Sequence, residues 1–347
     1  MAETAGGTKP QGIQVLHGGD LDAARAAFPQ APEPWVDLST GINPWPYPLP
    51  AIPPEAWTRL PGRGAEEALR EAAAAAYGAP STVHVAAAPG SQALIQMLPR
   101  LRARGRVAVL GPTYAEHARA WAAAGHAVRT VTRVEDLDGE VGVIVNPNNP
   151  DGRIVAPADL VALAGRFADR GGWLVVDEAF AEVTPEASIV GAADQPGLVV
   201  LRSFGKFFGL AGVRLGFALA EPGLVAAVRE AFGPWAVPGP ALAVATQALR
   251  DGPWIAATRR RLADESAALD RRLGALGLSV LGGTSLFRLA GHTRAPEMVN
   301  ALGAAGVLVR RFEDQPEWLR FGLPPNVAAQ QRLVQALENM VDKSACS

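Results

Sequence analysis

Short apolar runs that alternate with helical segments dominate the first two thirds of the chain. The runs cover residues 83–87, 107–110, 141–145, 173–176, 198–201 and 215–219. Continuous apolar runs of this length are typical of strands that are buried on both faces of a sheet. Helical segments over about 64–77, 91–103, 115–125 and 157–170 accompany them, which predicts crossover units and a mainly parallel sheet. Because residues 202–214 form no helix of that kind, one strand can be antiparallel.

The pattern changes beyond Pro240. A long helical segment over about 241–276, interrupted near Gly252, precedes predicted strands at 278–281 and 285–289. A helix at 296–305, strands at 307–311 and 319–321 and a helix at 325–341 complete the chain. We predict an α/β fold with helices on both faces of the sheet plus a smaller α+β domain. The expected division is a disordered tail (1–12), an arm packing with the small domain (13–50), a large domain (51–240) and the small domain (241–347).

The composition of the chain argues against several classes of protein. The 347 residues carry a formal net charge of −2, which argues against nucleic-acid or membrane-surface binding because both favour a basic excess. No run of 18 apolar residues predicts a membrane span, and the polar N-terminus is not that of a signal peptide. The single cysteine, Cys346, excludes an intramolecular disulfide and a cysteine metal cluster, so we expect no metal and a cytoplasmic protein.

Chemically distinct groups follow five of the predicted strands. In sequence order they are Gly90-Ser91 before a helix, Tyr114, the turn 146–152 with Asn149, Asp177, and the segment Ser203-Phe204-Gly205-Lys206. Each alone has an ordinary structural interpretation, such as a helix cap, a rim aromatic or a turn. Ligands in open parallel sheets bind at the carboxyl ends of the strands, so these groups are expected to converge.

The five groups together match the needs of pyridoxal phosphate. Its aldehyde reacts with a lysine, and a carboxylate keeps its pyridine nitrogen protonated. Its phosphate needs backbone donors, hydroxyls and an arginine, and its ring gains from an aromatic neighbour.

The motifs also resemble those of a known family. Ser203-Phe204-Gly205-Lys206 with Arg214 eight residues on, and the Asn-Pro-rich turn at 146–152, are similar to motifs of fold-type I pyridoxal-phosphate enzymes of the aspartate aminotransferase superfamily. The resemblance covers about residues 15–340 and implies the fold-type I transferase fold and a homodimer. It implies Lys206 and Asp177 as catalytic residues, and as cofactor-binding residues Gly90, Ser91, Tyr114, Asn149, Asp177, Ser203, Lys206 and Arg214.

Three further segments bear on the reaction. His17-Gly18-Gly19-Asp20, residues 37–44 and residues 309–324 resemble the threonine-phosphate decarboxylases of cobalamin biosynthesis, which are relatives of histidinol-phosphate aminotransferases. This resemblance implies decarboxylation of O-phospho-L-threonine to (R)-1-amino-2-propanol O-phosphate and CO2. The implied substrate-binding residues are His17, Gly18, Gly19, Asn43, Arg310, Arg311 and Arg320. Arginine suits both the carboxylate and the phosphate of such a phosphorylated amino acid.

Alternatives remain open at this stage. An aminotransferase of histidinol-phosphate type needs the same cofactor groups, and a non-catalytic binding or regulatory module can keep the fold. The sequence does not assign the carboxylate and the phosphate to particular arginines. Phe180 stands where many aminotransferases of the superfamily carry a tyrosine, so it offers no hydroxyl to the cofactor's ring oxygen.

Overall fold

The computed structural model describes residues 18–345, which form twelve α-helices and twelve strands. The helices are α1 (Leu21–Ala27), α2 (Pro54–Thr58), α3 (Arg63–Tyr77), α4 (Ser91–Met97), α5 (Glu116–Ala123), α6 (Pro157–Ala168), α7 (Phe204–Phe207), α8 (Pro222–Phe232), α9 (Gly239–Arg250), α10 (Gly252–Ala275), α11 (Ala295–Ala304) and α12 (Val327–Ala345). The strands are β1 (Val36–Leu38), β2 (Val85–Ala88), β3 (Arg106–Leu110), β4 (Ala127–Val131), β5 (Val141–Val145), β6 (Trp173–Asp177), β7 (Leu198–Ser203), β8 (Gly216–Ala220), β9 (Ser279–Thr284), β10 (Phe287–Gly291), β11 (Val307–Arg311) and β12 (Trp318–Gly322).

The larger sheet has seven strands in the order β2-β8-β7-β6-β5-β3-β4. The pairs β7–β6, β6–β5, β5–β3 and β3–β4 are parallel, whereas β8 is antiparallel to both β7 and β2. The predicted mainly parallel sheet is therefore confirmed, and β8 is its antiparallel strand. The sequence patterns missed β4, because this edge strand leaves Arg129 and Thr130 exposed and contains no apolar run.

Both faces of the large sheet are buried, as the predicted fold class requires. All five residues of β5 are buried, and successive residues pack into different clusters on the two sides. Ile144 packs into a cluster with Leu69 of α3 and Phe167 of α6, while Val143 packs into one with Trp121 of α5. This alternation follows from the pleat of a strand. The parallel strands thus end together at one buried edge.

The smaller sheet has five strands in the order β1-β11-β12-β10-β9. The strand β1, from the N-terminal part of the chain, pairs in parallel with β11, and the other pairs are antiparallel. The predicted helix over 241–276 is two helices, since Asp251 ends α9 and its Oδ1 accepts a hydrogen bond from Trp254 N at 3.0 Å to begin α10. The division of the chain into domains stays a prediction.

The proline-rich segment 44–61 is fastened at its start by aromatic side chains. Trp45 Nε1 donates a hydrogen bond to the carbonyl of Pro325 at 2.8 Å, and the Arg261 guanidinium lies 3.7 Å from the Trp45 ring centroid. Tyr47 is buried and packs edge-on against Trp254 and Phe208. These contacts join the segment to α10 and to the turn that precedes α12.

No helix within residues 18–345 combines the length and apolar character needed to cross a membrane.

Candidate active site

A cavity of about 550 Å³ lies where the carboxyl ends of β5, β6 and β7 meet β11 and β12 of the smaller sheet. Most residues predicted from the sequence line it, although they come from distant parts of the chain. They are Gly18, Gly90, Ser91, Tyr114, Asn149, Asp177, Ser203, Lys206, Arg214, Arg310, Arg311 and Arg320.

Lys206 stands on the short helix α7, directly after β7. Its Nζ makes no hydrogen bond or salt bridge with the residues that the structure describes, and it lies 5.9 Å from the ring centroid of Phe180. Burial lowers the pKa of Lys206 to about 8, and the positive charges of Arg320 and Arg214 add to this effect against the opposing influence of Asp177. The lysine is thus a partly neutral amine near physiological pH, as a nucleophile requires.

Asp177 ends strand β6 and is 3% exposed. Its Oδ1 accepts a hydrogen bond from Ala179 N at 3.0 Å, and its Oδ2 lies 2.8 Å from Nε2 of His117. His117, on α5, is also buried and was not among the residues predicted from the sequence. No local sequence signal marks it, because Tyr114 precedes α5 and the partner Asp177 is 60 residues away. Together these partners hold the carboxylate of Asp177 in one orientation.

Glycines shape the part of the cavity in front of α4. Gly90 has φ +92°, and a Cβ there would lie 2.8 Å from Nη2 of Arg214. A Cβ on Gly216 would lie 2.3 Å from the backbone nitrogen of Ser91. The chain can bring these groups together only because both positions lack a side chain. The start of α4, Ser203 and Arg214 therefore surround a space with donors that suit a phosphate.

Tyr114 lines the cavity between β3 and α5. Its hydroxyl donates a hydrogen bond to Gln92 Oε1 at 3.1 Å, and its ring stands edge-on to His117 with centroids 6.2 Å apart. Burial raises the pKa of Tyr114 to about 12, so the hydroxyl stays protonated at physiological pH. Its predicted contact with a cofactor ring stays a prediction.

Two arginines face each other across the smaller sheet. Arg310 of β11 is directly opposite Arg320 of β12 in the antiparallel register. Arg320 is buried, and it donates to Oδ1 of Asn149 and, at 2.7 Å, to the carbonyl of Ser39. Burial and the charge of Arg310 lower the pKa of Arg320 to about 9, although Asp37 opposes this shift. Its hydrogen-bond acceptors are neutral, so its charge is not balanced by direct contact.

Arg310 is half-buried and lies 5.5 Å from the ring centroid of Phe312. Burial lowers its pKa, and it forms no salt bridge with the described residues. Arg311 is exposed and lines the mouth of the cavity. The two adjacent arginines thus differ in their access to the interior, as the alternation of a strand predicts.

Two of the described residues predicted to bind substrate do not line the cavity. Asn43 is buried outside it: its Nδ2 donates to the carbonyl of Phe207, and its Oδ1 accepts from Trp45 N, both at 2.9 Å. These bonds anchor the chain at Asn43, and its role towards the substrate stays a prediction. Gly19 donates its N–H to Ser39 Oγ at 2.7 Å. His17 lies outside the described residues.

The lining residues fit pyridoxal phosphate. Lys206 Nζ has no competing hydrogen bond, the Asp177 carboxylate is held by two donors, and the glycine-shaped space beside Arg214 accepts a phosphate. The amide nitrogen of Asn149 has no hydrogen-bond partner among the described residues, so it can donate to a ring oxygen. Phe180 is buried against Phe287, with ring centroids 5.0 Å apart.

Comparison with known proteins agrees with this geometry. The model of the aminotransferase class I and II family matches residues 54–337. The chain belongs to the aminotransferase class I and II family. Within this aminotransferase family, a threonine-phosphate decarboxylase of Pseudomonas aeruginosa is 49% identical over 92% of this chain and 96% of the relative. A threonine-phosphate decarboxylase of a Sinorhizobium species is 46% identical over 94% and 98%.

A solved structure has the same class I and II aminotransferase fold. The histidinol-phosphate aminotransferase of Sinorhizobium meliloti, in complex with pyridoxal-5'-phosphate, superposes with a TM-score of 0.77 over 98% of this chain and 99% of that chain. Its sequence is 20% identical, so this likeness concerns the fold alone. The predicted fold-type I transferase fold is thereby confirmed.

The pKa of Lys206 predicts how the apoenzyme takes up its cofactor. Only the neutral amine attacks the cofactor aldehyde, so the rate should rise with pH to a midpoint at about 8. With that pKa roughly a quarter of Lys206 is neutral at about pH 7.5, against about one in a thousand for an unperturbed lysine. Stopped-flow absorbance after mixing apoenzyme with pyridoxal phosphate across a pH series measures the midpoint.

Arg320→Met provides the control for this measurement. Removal of the neighbouring positive charge should move the midpoint to higher pH, and Lys206→Ala should abolish the signal. A wild-type midpoint near 10.5, the value for a lysine in water, would contradict the proposed environment of Lys206.

Proposed function

We propose that this protein binds pyridoxal phosphate and decarboxylates O-phospho-L-threonine to (R)-1-amino-2-propanol O-phosphate and CO2. The similarity to two threonine-phosphate decarboxylases, at 49% and 46% identity over nearly the whole chain, supports this carboxy-lyase activity. The cofactor-binding groups in the cavity support the need for pyridoxal phosphate.

The opposed arginines Arg310 and Arg320 are the observation that supports this choice of substrate. Arg310 and Arg320 are directly opposed, and neither forms an ion pair with a carboxylate of the described residues. Two like charges at directly opposed positions of a sheet repel each other. A ligand with two anionic groups relieves this repulsion, and a phosphorylated amino acid has a carboxylate and a phosphate. Each guanidinium can form paired hydrogen bonds with either group.

The residues of the chain have separate tasks in this proposal. Pyridoxal phosphate, when bound, supplies the electron sink that decarboxylation needs. Asp177, held by His117, would place its carboxylate at the pyridine nitrogen, and Ser203 and Arg214 would bind the cofactor phosphate. Arg310 and Arg320 hold the two anionic groups of the substrate and so orient its carboxylate. Lys206, in its protonated form, would then donate a proton from Nζ to Cα, where the proton replaces the carboxylate that has left as CO2.

A histidinol-phosphate aminotransferase is the second candidate function. The fold similarity to an enzyme of that name supports it, but at 20% identity this argument reaches the fold and not the reaction. A non-catalytic module would have no need for Lys206 and Asp177, and both are present in the cavity. The cytoplasmic location and the place in cobalamin biosynthesis stay predictions.

The reaction type can be tested with purified enzyme, pyridoxal phosphate and O-phospho-L-threonine. We expect stoichiometric release of CO2 without any keto acid, measured with a coupled bicarbonate assay. Lys206→Ala is the matched control and should release none. A strict requirement for 2-oxoglutarate, or turnover of histidinol phosphate in place of O-phospho-L-threonine, would support the aminotransferase instead.

The adjacent arginines of β11 form a natural pair of variants. Arg310→Gln should raise KM for O-phospho-L-threonine about 10- to 100-fold, the loss expected for a charge-assisted hydrogen bond. Arg311→Gln should change KM less than about fivefold, because an exposed charge is screened by solvent. Steady-state kinetics at fixed ionic strength compare the two. Equal effects would contradict the assignment of Arg310 to the substrate.

We also propose that the protein is a homodimer. Leu49, Trp57 and Leu60 are 67%, 67% and 68% exposed, and Leu60 lines a largely apolar groove of about 880 Å³ between α2, α3 and α9. Exposed apolar patches of this kind mark protein–protein interfaces.

Sedimentation equilibrium should therefore give twice the monomer mass of 36.2 kDa. Trp57→Glu should shift the equilibrium towards monomer because it places a charge in the proposed interface. Leu281→Glu, at a 49% exposed position of β9, is the control and should leave the mass unchanged. A monomeric wild-type protein at micromolar concentration would refute the homodimer.

A further inference from the structure

Asp37 and Ser39 lie beside the cavity, and the proposed function gives neither of them a task. Asp37 belongs to β1, whose backbone is fixed by its parallel pairing with β11. Ser39 follows β1 directly, is 1% exposed and lines the cavity. The carboxylate of Asp37 is half-buried, and among the residues that the structure describes its hydrogen bonds are made to Ser39 and not to a basic side chain.

Asp37 fixes Ser39 through two hydrogen bonds to one oxygen. Its Oδ1 accepts from the backbone nitrogen of Ser39 at 2.8 Å and from Ser39 Oγ at 2.6 Å. Because the hydroxyl has a single hydrogen, donating it to Asp37 leaves the lone pairs of Oγ as acceptors. Gly19 N–H donates to that oxygen at 2.7 Å. The orientation of the hydroxyl, and hence its bond to Gly19, is thus set by Asp37.

The carbonyl of Ser39 makes contacts on the cavity side. It accepts a hydrogen bond from Nη2 of Arg320 at 2.7 Å. Gly18 lies so close to it that a Cβ on Gly18 would be 2.4 Å from this oxygen. One residue therefore contacts both the Gly18-Gly19 segment, which reaches the cavity wall, and Arg320. A displacement of Ser39 would move both of these elements.

We infer that Asp37 is a positioning residue that acts through Ser39 to hold the Gly18-Gly19 segment at the cavity and to fix Arg320 for the substrate anion. Asp37 itself is not among the residues that line the cavity. The inference rests on the proposed function, since it is there that Arg320 becomes a substrate ligand. A role limited to the stability of the small sheet is the competing explanation.

The test compares four variants of the cofactor-loaded enzyme. Asp37→Ala removes both hydrogen bonds to Ser39, whereas Asp37→Asn keeps an oxygen that can accept them. Ser39→Ala removes the bond to Gly19 but retains the carbonyl that Arg320 needs. Asp22→Ala, at an exposed position of α1, is the control. Hydrogen–deuterium exchange at the Gly19 amide is measured without substrate, and KM, kcat and the cofactor Kd are measured separately.

In Asp37→Ala we expect protection of the Gly19 amide to fall about tenfold and KM for O-phospho-L-threonine to rise about tenfold, while kcat and the cofactor Kd stay within about twofold. Asp37→Asn should restore KM to within about threefold of wild type. Ser39→Ala should lose the same Gly19 protection with a smaller rise in KM. Asp22→Ala should match wild type in every measurement.

Two results would overturn the inference. If the Gly19 amide exchanged at the wild-type rate in both Asp37→Ala and Ser39→Ala, Asp37 would not hold the Gly18-Gly19 segment in place. A parallel loss of cofactor affinity and substrate affinity would indicate general destabilisation of the fold. Should Asp37→Ala not fold, Ser39→Ala decides the matter, because Ser39 lies outside β1. If the wild-type enzyme does not act on O-phospho-L-threonine, the proposed function is wrong. The exchange measurement is made without substrate, so it still tests whether Asp37 holds Gly19 through Ser39.

Discussion

The guanidinium of Arg320 is buried opposite that of Arg310. The free-energy cost of burying this charge determines which groups must surround it in the cavity. A buried charge without a partner is strongly unfavourable, so its donors must be satisfied. Nη1 and Nη2 of Arg320 meet this need with Oδ1 of Asn149, from the turn after β5, and with the carbonyl of Ser39, from the segment after β1, whereas Nε has no hydrogen-bond partner among the described residues. Arg320 therefore connects the two sheets and the N-terminal segment, and its positive charge has no anionic group in direct contact among the described residues.

A second buried charge cluster lies at the ends of the same central strands. Glu178 follows Asp177 on β6, and Arg202 precedes Ser203 on β7. The pleat points neighbouring residues to opposite faces, so Asp177 and Ser203 line the cavity while Glu178 and Arg202 pair at 2.8 Å away from it. Both partners are buried, and Arg202 Nη2 also lies 3.4 Å from Oε1 of the buried Glu182, so removing Arg202 would leave two buried carboxylates without their shared partner. This pair holds together the strand ends that carry the cofactor groups.

Much of this arrangement was predictable, because it depends on local patterns in the sequence. Apolar runs identified the buried parallel strands, and the rule that ligands bind at their carboxyl ends pointed to Asp177 and Lys206. Side chains whose partners are distant in sequence were not predictable in this way. His117 is 60 residues from Asp177, and nothing in its helix marks it as a partner of the carboxylate. Asn43 was assigned to substrate from its motif, but its amide is used by the backbone of Phe207 and Trp45.

The contact between Arg320 and Asn149 also determines which way the Asn149 amide faces. A guanidinium only donates hydrogen bonds, so it must meet the carbonyl oxygen of the amide and not its nitrogen. Nδ2 of Asn149 is thereby left to donate to the cofactor's ring oxygen, as the proposed function requires. Phe180 provides no hydroxyl, so in that proposal the ring oxygen would depend on the single amide donor. An anion that engages Arg320 would then act on the partner of Asn149, and substrate binding would be coupled to this hydrogen bond.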